Sequence, residues 1–443
     1  MAEPGSSSEP IRLSALREGL GLLDRSHWFL LIVLGTTNFF DGYDRGIIAV
    51  ALKQIRGSFH LSQSQGSLYL GVLYLGALPA VSLTRYADRV GRRRLLIVSL
   101  LGYTVATGLS AIAPNAPIFG VCQFIAKFFI TAEAAIVWTM AAEALPAKAR
   151  GIGFGWLAMT SALGVGFGAI LFGGLISPLH LSWRWLYVAG VPPLLTVGWL
   201  RRRLPESKRF LAAQHEGTLS RSWRDIFAEQ YRRWLLLVLV TAFLAELVVQ
   251  ASSFSLDFLQ TQRHLSASTA SFMLVAAGLP SIPLMVAAGA LSDRYGRRLV
   301  GCLFALVSVV GALGFFWLPV GPWILLPFMS LALIGQAGFN PTFSAYTAEL
   351  FPTAVRSQAT AWANVVRVAG DAASFGIAAL LLYVSRNNFP LTVTVLGFGP
   401  LGAVALFWTK FPDTHGRELE DIAVLERGYV PRSQREHPPP PTA

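Results

Sequence analysis

Nine ionisable side chains stand inside segments of this 443-residue chain that are otherwise apolar. They are Asp41, Asp44 and Arg45, then Lys127 and Glu133, Glu246 and Asp257, and finally Arg367 and Asp371. A charge at the centre of a bilayer-spanning helix costs roughly 2.5–3.5 kcal/mol on insertion scales, so such groups face a wet cavity, pair with one another or take up a proton. At 3.6 residues per turn, Asp41, Asp44 and Arg45 share one helix face. Glu246, Gln250, Phe254 and Asp257 share a second, Asn364, Arg367 and Asp371 a third, and Gln336, Asn340 and Ser344 a fourth. Gln123 and Lys127 align, whereas Glu133 lies about 240° around the helix from Lys127. Asp257 falls at the end of its segment and weighs less.

Two kinds of chemistry follow. A buried carboxylate without a full partner carries protons at useful pH, which makes Asp41 and Asp44 the first candidates for proton coupling, ahead of Glu133 and Glu246. Lys127 and Arg367 are cations suited to a substrate carboxylate, and arginine binds one bidentately. The plainer alternative is structural pairing. Arg45 neutralises one aspartate, Lys127 offsets an acid of the first segment, and Arg367 pairs with Asp371 one turn on. Gln250, Gln336, Asn340, Trp362 and Asn364 are the side chains that would grip hydroxyls if the solute were a sugar. There is no Gly-x-x-x-x-Gly-Lys loop for a nucleotide, the seven histidines show no metal-ligand spacing, and no catalytic constellation stands out. An enzyme is not expected, nor a metal or other cofactor.

The elements that position these groups are long apolar helices. Hydrophobic residues make up 53% and charged residues 14% of the chain, against about 25% charged in soluble domains, so lipid is expected to cover the outside. Spans of about 20 residues are predicted near 27–51, 66–84, 95–113, 117–142, 152–176, 184–200, 234–257, 268–290, 299–318, 323–348, 358–384 and 390–410. The organisation read from these is an N-terminal tail (1–26), a six-helix bundle (27–200), a central loop (201–233), a second six-helix bundle (234–410) and a tail (411–443). The loops after even-numbered spans hold twenty Lys and Arg, and those after odd-numbered spans hold five. That asymmetry predicts even-numbered loops and both tails in the cytoplasm. It also accounts for the net charge of +12 without nucleic acid. Cys122 and Cys302 lie far apart in apolar segments and suggest no disulfide. The first segment is too long for a signal peptide, and the Pro-rich end reads as disordered.

The halves repeat. Asp88-Arg89-x-Gly91-Arg92-Arg93 recurs as Asp293-Arg294-x-Gly296-Arg297-Arg298. Glu143, Pro146 and Arg150 recur as Glu349, Pro352 and Arg356, and Pro205-Glu206-Ser207 as Pro412-Asp413-Thr414. The offsets are 205, 206 and 207. Repeats of this kind place a substrate site between them near the bilayer midplane, with access alternating as they rock.

The Asp-Arg-x-Gly-Arg-Arg loop resembles the signature loop of the major facilitator superfamily, with Thr84 where the family usually has glycine. Glu143 through Gly151, Trp183-Arg184-Trp185, Pro205-Glu206-Ser207 and Pro412-Asp413-Thr414 resemble motifs of its sugar-and-other-solute branch. Phe40-Asp41-Gly42-Tyr43-Asp44 is similar to the first-span motif of proton-coupled aromatic-acid and metabolite symporters, with Arg45 a departure. The resemblance implies an all-α membrane fold of twelve helices around a central cavity lined by spans 1, 4, 7 and 10. It implies that Asp88, Arg89, Arg92, Glu143 and Arg150, with Asp293, Arg294, Arg297, Glu349 and Arg356, form charge clusters that latch the outward-open state.

The expectation is therefore a multi-pass, monomeric plasma-membrane transporter that takes up a small organic ion, a carboxylate ahead of others, driven by the proton gradient. Asp41, Asp44, Glu133 and Glu246 are the proton candidates. Lys127, Arg367, Gln250, Gln336, Asn340, Asn364, Tyr43 and Arg45 are the substrate candidates. Sugar transport lacks the paired glutamines expected in span 7, where Val249-Gln250-Ala251-Ser252-Ser253 stands. An organic cation stays open because the intramembrane acids outnumber the bases, six to three. A drug/proton antiporter lacks its Gly-Pro pair in span 5, and a non-transporting sensor on the same scaffold would lack a soluble signalling domain.

Overall fold

The computed structural model describes residues 21, 23–80, 82–83, 92–146, 150–201, 225–248, 250–351 and 353–411. Each predicted span falls on helix. Spans 1 and 3–6 are single helices at Arg25–Ser58, Arg92–Ile112, Ala116–Ala144, Arg150–Leu171 and Arg184–Arg201, span 5 ending in a π-helical turn at Phe172–Ile176. Spans 9–12 are Arg297–Trp317, Pro322–Leu350, Thr353–Val384 and Phe389–Lys410. Eight of the described helices are long and apolar enough to cross a membrane.

Spans 2, 7 and 8 are interrupted, each for a local reason. Span 2 is regular from Gln63–Leu75 and loosens at Gly76, where an added Cβ would stand 2.5 Å from the Phe124 carbonyl oxygen, ahead of Pro79. Span 8 runs Ala267–Gly278 and Ser281–Tyr295. Pro280 sits at the joint without an N–H to donate, and the Ser281 hydroxyl donates to the Gly278 carbonyl at 2.6 Å. Span 7 ends its first helix at Glu246 and resumes at Gln250–Thr261. There the Ser374 hydroxyl of span 11 donates to the Leu247 carbonyl at 2.6 Å. In lipid every backbone group needs such a partner. Helix starts are capped in the usual chemistry. Asp24 and Ser62 close capping boxes on spans 1 and 2, and Asn115, Ser266 and Asn388 accept at spans 4, 8 and 12.

The repeat is visible in packing. Spans 1 and 5 touch backbone to backbone: a Cβ on Gly42 would sit 1.9 Å from the Ser161 carbonyl oxygen, and one on Gly164 1.9 Å from that of Phe39. In the second half a Cβ on Gly370 of span 11 would sit 2.9 Å from the carbonyl oxygen of Phe243 in span 7. Gly164 and Gly370 are 206 apart, Phe39 and Phe243 204 apart. Small residues let helix backbones approach this closely, and the same contact occurs in both halves.

The halves meet near the odd-numbered loops. Arg56 at the end of span 1 reaches Asp257 of span 7 with one terminal nitrogen, at 2.6 and 2.9 Å from its two carboxylate oxygens. Their side chains are 10% and 1% exposed. Lys53 donates to the Gln260 carbonyl and Gln54 to the Gln260 side chain, both at 2.9 Å. Ser67 of span 2 donates to the Phe375 carbonyl of span 11 at 2.7 Å, and Gly173 packs against Ser268 and Ser271 of span 8. By sequence Arg56 is one of the five cations counted in the odd-numbered loops, and Asp257 falls at a segment end. The structure buries them as a pair between the halves, 201 residues apart.

Candidate functional site

The intramembrane charges gather where spans 1, 2, 4, 7 and 11 come together. On span 1, Arg45 bonds Asp41 one turn back and, at 2.8 Å, the Ser161 hydroxyl of span 5. Its side chain is 45% exposed, with Tyr74 nearby and Asp371, from the other half, acting on it through charge. Asp44 is buried. Its Oδ1 has no hydrogen-bond partner among the described residues, while Lys127, Asp41 and Arg45 act on it through charge and Tyr103 by hydrogen bonding. Lys127 makes no ion pair among the described residues, and its Nζ lies 4.6 Å from the centre of the Tyr74 ring. Glu133 is buried and, with Asp44 and Asp41, is a charged neighbour of Tyr103.

In the second half, Arg367 of span 11 donates from Nε to Oε1 of Glu246 on span 7. In place of the alternative pairing with Asp371 one turn on, Arg367 makes a cross-helix pair. The i, i+4 spacing was legible, but the register of span 11 on span 7 is set by the Gly370 contact. Asp371 instead has charged neighbours in both halves, Glu246 and Arg367 on its own side and Lys127 and Arg45 on the other.

Other candidates are placed as follows. Tyr43 is buried and its hydroxyl donates to the Leu186 carbonyl of span 6 at 2.7 Å, which makes it a packing residue of the first bundle. Gln123, aligned with Lys127 by helical spacing, donates to the Ser110 hydroxyl of span 3 at 2.8 Å. Gln336 and Asn340 are half-buried on span 10 and Asn364 is exposed on span 11. Of the latch residues, Arg297 donates to Ser292 at 2.6 Å, across a turn where Gly296 takes φ 92°, a conformation that favours glycine. Asp88 and Arg89 lie outside the described residues, as do the side chains of Arg92, Glu143, Arg150, Gln250, Asp293, Arg294, Glu349 and Arg356. Sequence reasoning missed Tyr74, Tyr103 and Ser161, uncharged groups inside apolar runs. Gln54 and Gln260 are 206 apart, so this pair joins equivalent places of the two halves.

Residues 34–375 match the profile of the Major Facilitator Superfamily. The chain belongs to that family. It is 23% identical over 390 residues to a probable 4-methylmuconolactone transporter of Cupriavidus pinatubonensis, covering 86% of this chain and 90% of that one. It is 24% identical over 446 residues to the niacin transporter NiaP of Acinetobacter baylyi, covering 91% and 98%. A crystal structure of a D-xylose-proton symporter superposes with a TM-score of 0.72 at 20% identity, over 88% of this chain and 99% of that one. This major facilitator protein is accordingly a multi-pass membrane transporter of small solutes and not an enzyme.

Proposed function

We propose that the protein carries a small organic acid across the membrane together with protons, by alternating access. The observation that carries this is the juxtaposition of Lys127, Arg367 and a buried aspartate that no cation hydrogen-bonds among the described residues, with Asp371 acting on both cations through charge. Among the described residues Lys127 makes no ion pair and lies over the Tyr74 ring, and Arg367 hydrogen-bonds through Nε alone. Lys127 acts on Asp44 through charge, and Asp44 Oδ1 has no hydrogen-bond partner among the described residues. An anion that enters draws on Lys127 and Arg367, and the proton that compensates it goes to Asp44. Tyr74, 5.1 Å from Phe375 across the halves, gives an aromatic wall beside the lysine. The relatives' named solutes agree with this reading: niacin is a pyridine carboxylic acid and a muconolactone carries a carboxymethyl group.

In this cycle the solute leaves toward the even-numbered loops, which the Lys and Arg asymmetry puts in the cytoplasm with both tails. The clusters around Asp88 and Asp293 hold that end shut in the opposite state, while the Arg56–Asp257 contact holds the odd-loop end. The plasma membrane is the site of action, and the proton gradient is the only drive.

The test is uptake into proteoliposomes under an imposed pH gradient, with radiolabelled aromatic and aliphatic acids, sugars and organic cations, and Asp41→Asn and Asp44→Asn beside wild type. Acid accumulation that follows the inward proton gradient and loses that dependence in Asp44→Asn supports the reading. Gradient-independent sugar or cation uptake, unchanged in both variants, sinks it.

A further inference from the structure

The carboxylates of spans 1 and 7 occupy equivalent places in the two halves. Asp41 and Glu246 are 205 apart, and Ser161 and Arg367 are 206 apart, matching the offset of the glycine contacts beside them. In both halves these two positions hold a guanidinium. In the first, Arg45 comes from span 1 itself, bonding Asp41 and Ser161. In the second, the arginine stands at the serine's place and bonds Glu246.

The difference lies in what each arginine leaves open. Arg45 commits Nη2 to two acceptors and Nε to the Asp41 carbonyl. Arg367 commits only Nε. Its terminal nitrogens have no hydrogen-bond partner among the described residues and are not buried. Glu246 is 5% and Arg367 28% exposed, so the held edge is inside and the free edge is reachable. A guanidinium fixed along one edge keeps its plane, and a planar fork of two N–H groups matches a carboxylate. The ammonium of Lys127 has no such plane.

We propose that Glu246 is a positioning residue that orients Arg367, and that the two terminal nitrogens of Arg367 receive the substrate carboxylate two-pronged. The inference rests on the organic-acid reading above and deepens it. It assigns Glu246 no part in carrying protons, and it leaves Lys127 as the second cation that draws the anion and as the charge that balances Asp44. The other charges facing Arg367 are Asp371 on its own helix and Arg45 across the interface.

The experiment compares wild type, Glu246→Gln, Glu246→Ala and Arg367→Lys in proteoliposomes with radiolabelled nicotinate and benzoate, scoring KM and kcat separately at two imposed pH gradients. Glutamine keeps the acceptor oxygen for Nε, so KM is expected within about threefold of wild type and the gradient dependence intact. Alanine and Arg367→Lys are expected to raise KM roughly tenfold or more with a smaller change in kcat, the pattern of lost binding. Glu246→Gln abolishing the gradient dependence while exchange persists would make Glu246 a proton carrier and overturn the proposal, as would an unchanged KM in Glu246→Ala. A wild type that takes up no acid refutes the organic-acid reading itself. The positioning claim is then judged by phenylglyoxal labelling of Arg367, read by peptide mass. Nicotinate protection in wild type and Glu246→Gln, lost in Glu246→Ala, upholds it, and no protection in any of them overturns it.

Discussion

Replacing Arg56 by alanine should push the transporter toward opening at the odd-loop end. Asp257 is buried against Arg56, and removing one partner of a buried ion pair costs about 3–5 kcal/mol because the other charge is stranded. That cost applies only while the halves are together, since separation hydrates the carboxylate. Lys53 also acts on Asp257 through charge, which puts the expectation near the lower figure, roughly a hundredfold in the open-to-closed ratio. A shift of that size turns a closed ensemble of about 99:1 into a nearly even mixture. Asp257→Asn should do less, because the long arginine stem can carry its head to water. Exchanging the two residues should restore part of the loss, though Gly66, whose Cβ would come 2.3 Å from Arg56 Cδ, makes room for the arginine only on the span 1 side. The assay is electron–electron distance measurement between spin labels at Leu181 and Trp323, both exposed in odd-numbered loops or at their edge. Cys122 and Cys302 are buried and should not label. A second, longer distance population in Arg56→Ala is expected, shrinking again in the exchanged double variant. Distances identical to wild type in Arg56→Ala would refute the reasoning.

Asp44→Asn should abolish gradient-driven accumulation while leaving solute exchange at equal pH, measured by counterflow. Lys127→Gln should raise KM for the acid by about tenfold, the scale of one charged hydrogen bond, and weaken competition between acids of different charge. Tyr43→Phe should lower thermal stability by about 1 kcal/mol through the lost bond to the Leu186 carbonyl and leave KM unchanged, as detergent melting and uptake will show. Gly42→Ala should cost roughly 1–3 kcal/mol by forcing spans 1 and 5 apart, seen as a lower melting temperature and reduced yield.

The span positions and the repeat were legible because both rest on local signals: long apolar runs, Lys and Arg in alternate loops, and motif copies at a constant offset. The membership of the charge cluster was legible too, since intramembrane charges stand out by type. Their partners were not. Helical spacing says which residues share a face, but a face is broad, and Gln123 turns to Ser110 although it aligns with Lys127. Arg367 bonds Glu246 because Gly370 lets span 11 sit on span 7 at that height, a register no single helix encodes. Arg56 and Asp257 each looked unremarkable, one as a loop cation and one as an acid at a segment end, until the halves were brought together.

The interruption in span 7 has no counterpart in span 1, which runs unbroken from Arg25 to Ser58. The two copies are therefore unequal as levers. Span 1 turns as one rod, carrying Asp41 at its middle and Arg56 near its end as a single rigid piece. Span 7 leaves its helix for a turn at Leu247 and Val248, so Asp257 can swing while Glu246 stays fixed against Arg367. A duplicated chain with a stiff arm on one side and a jointed arm on the other can release its outer contact without disturbing the residue that holds its solute.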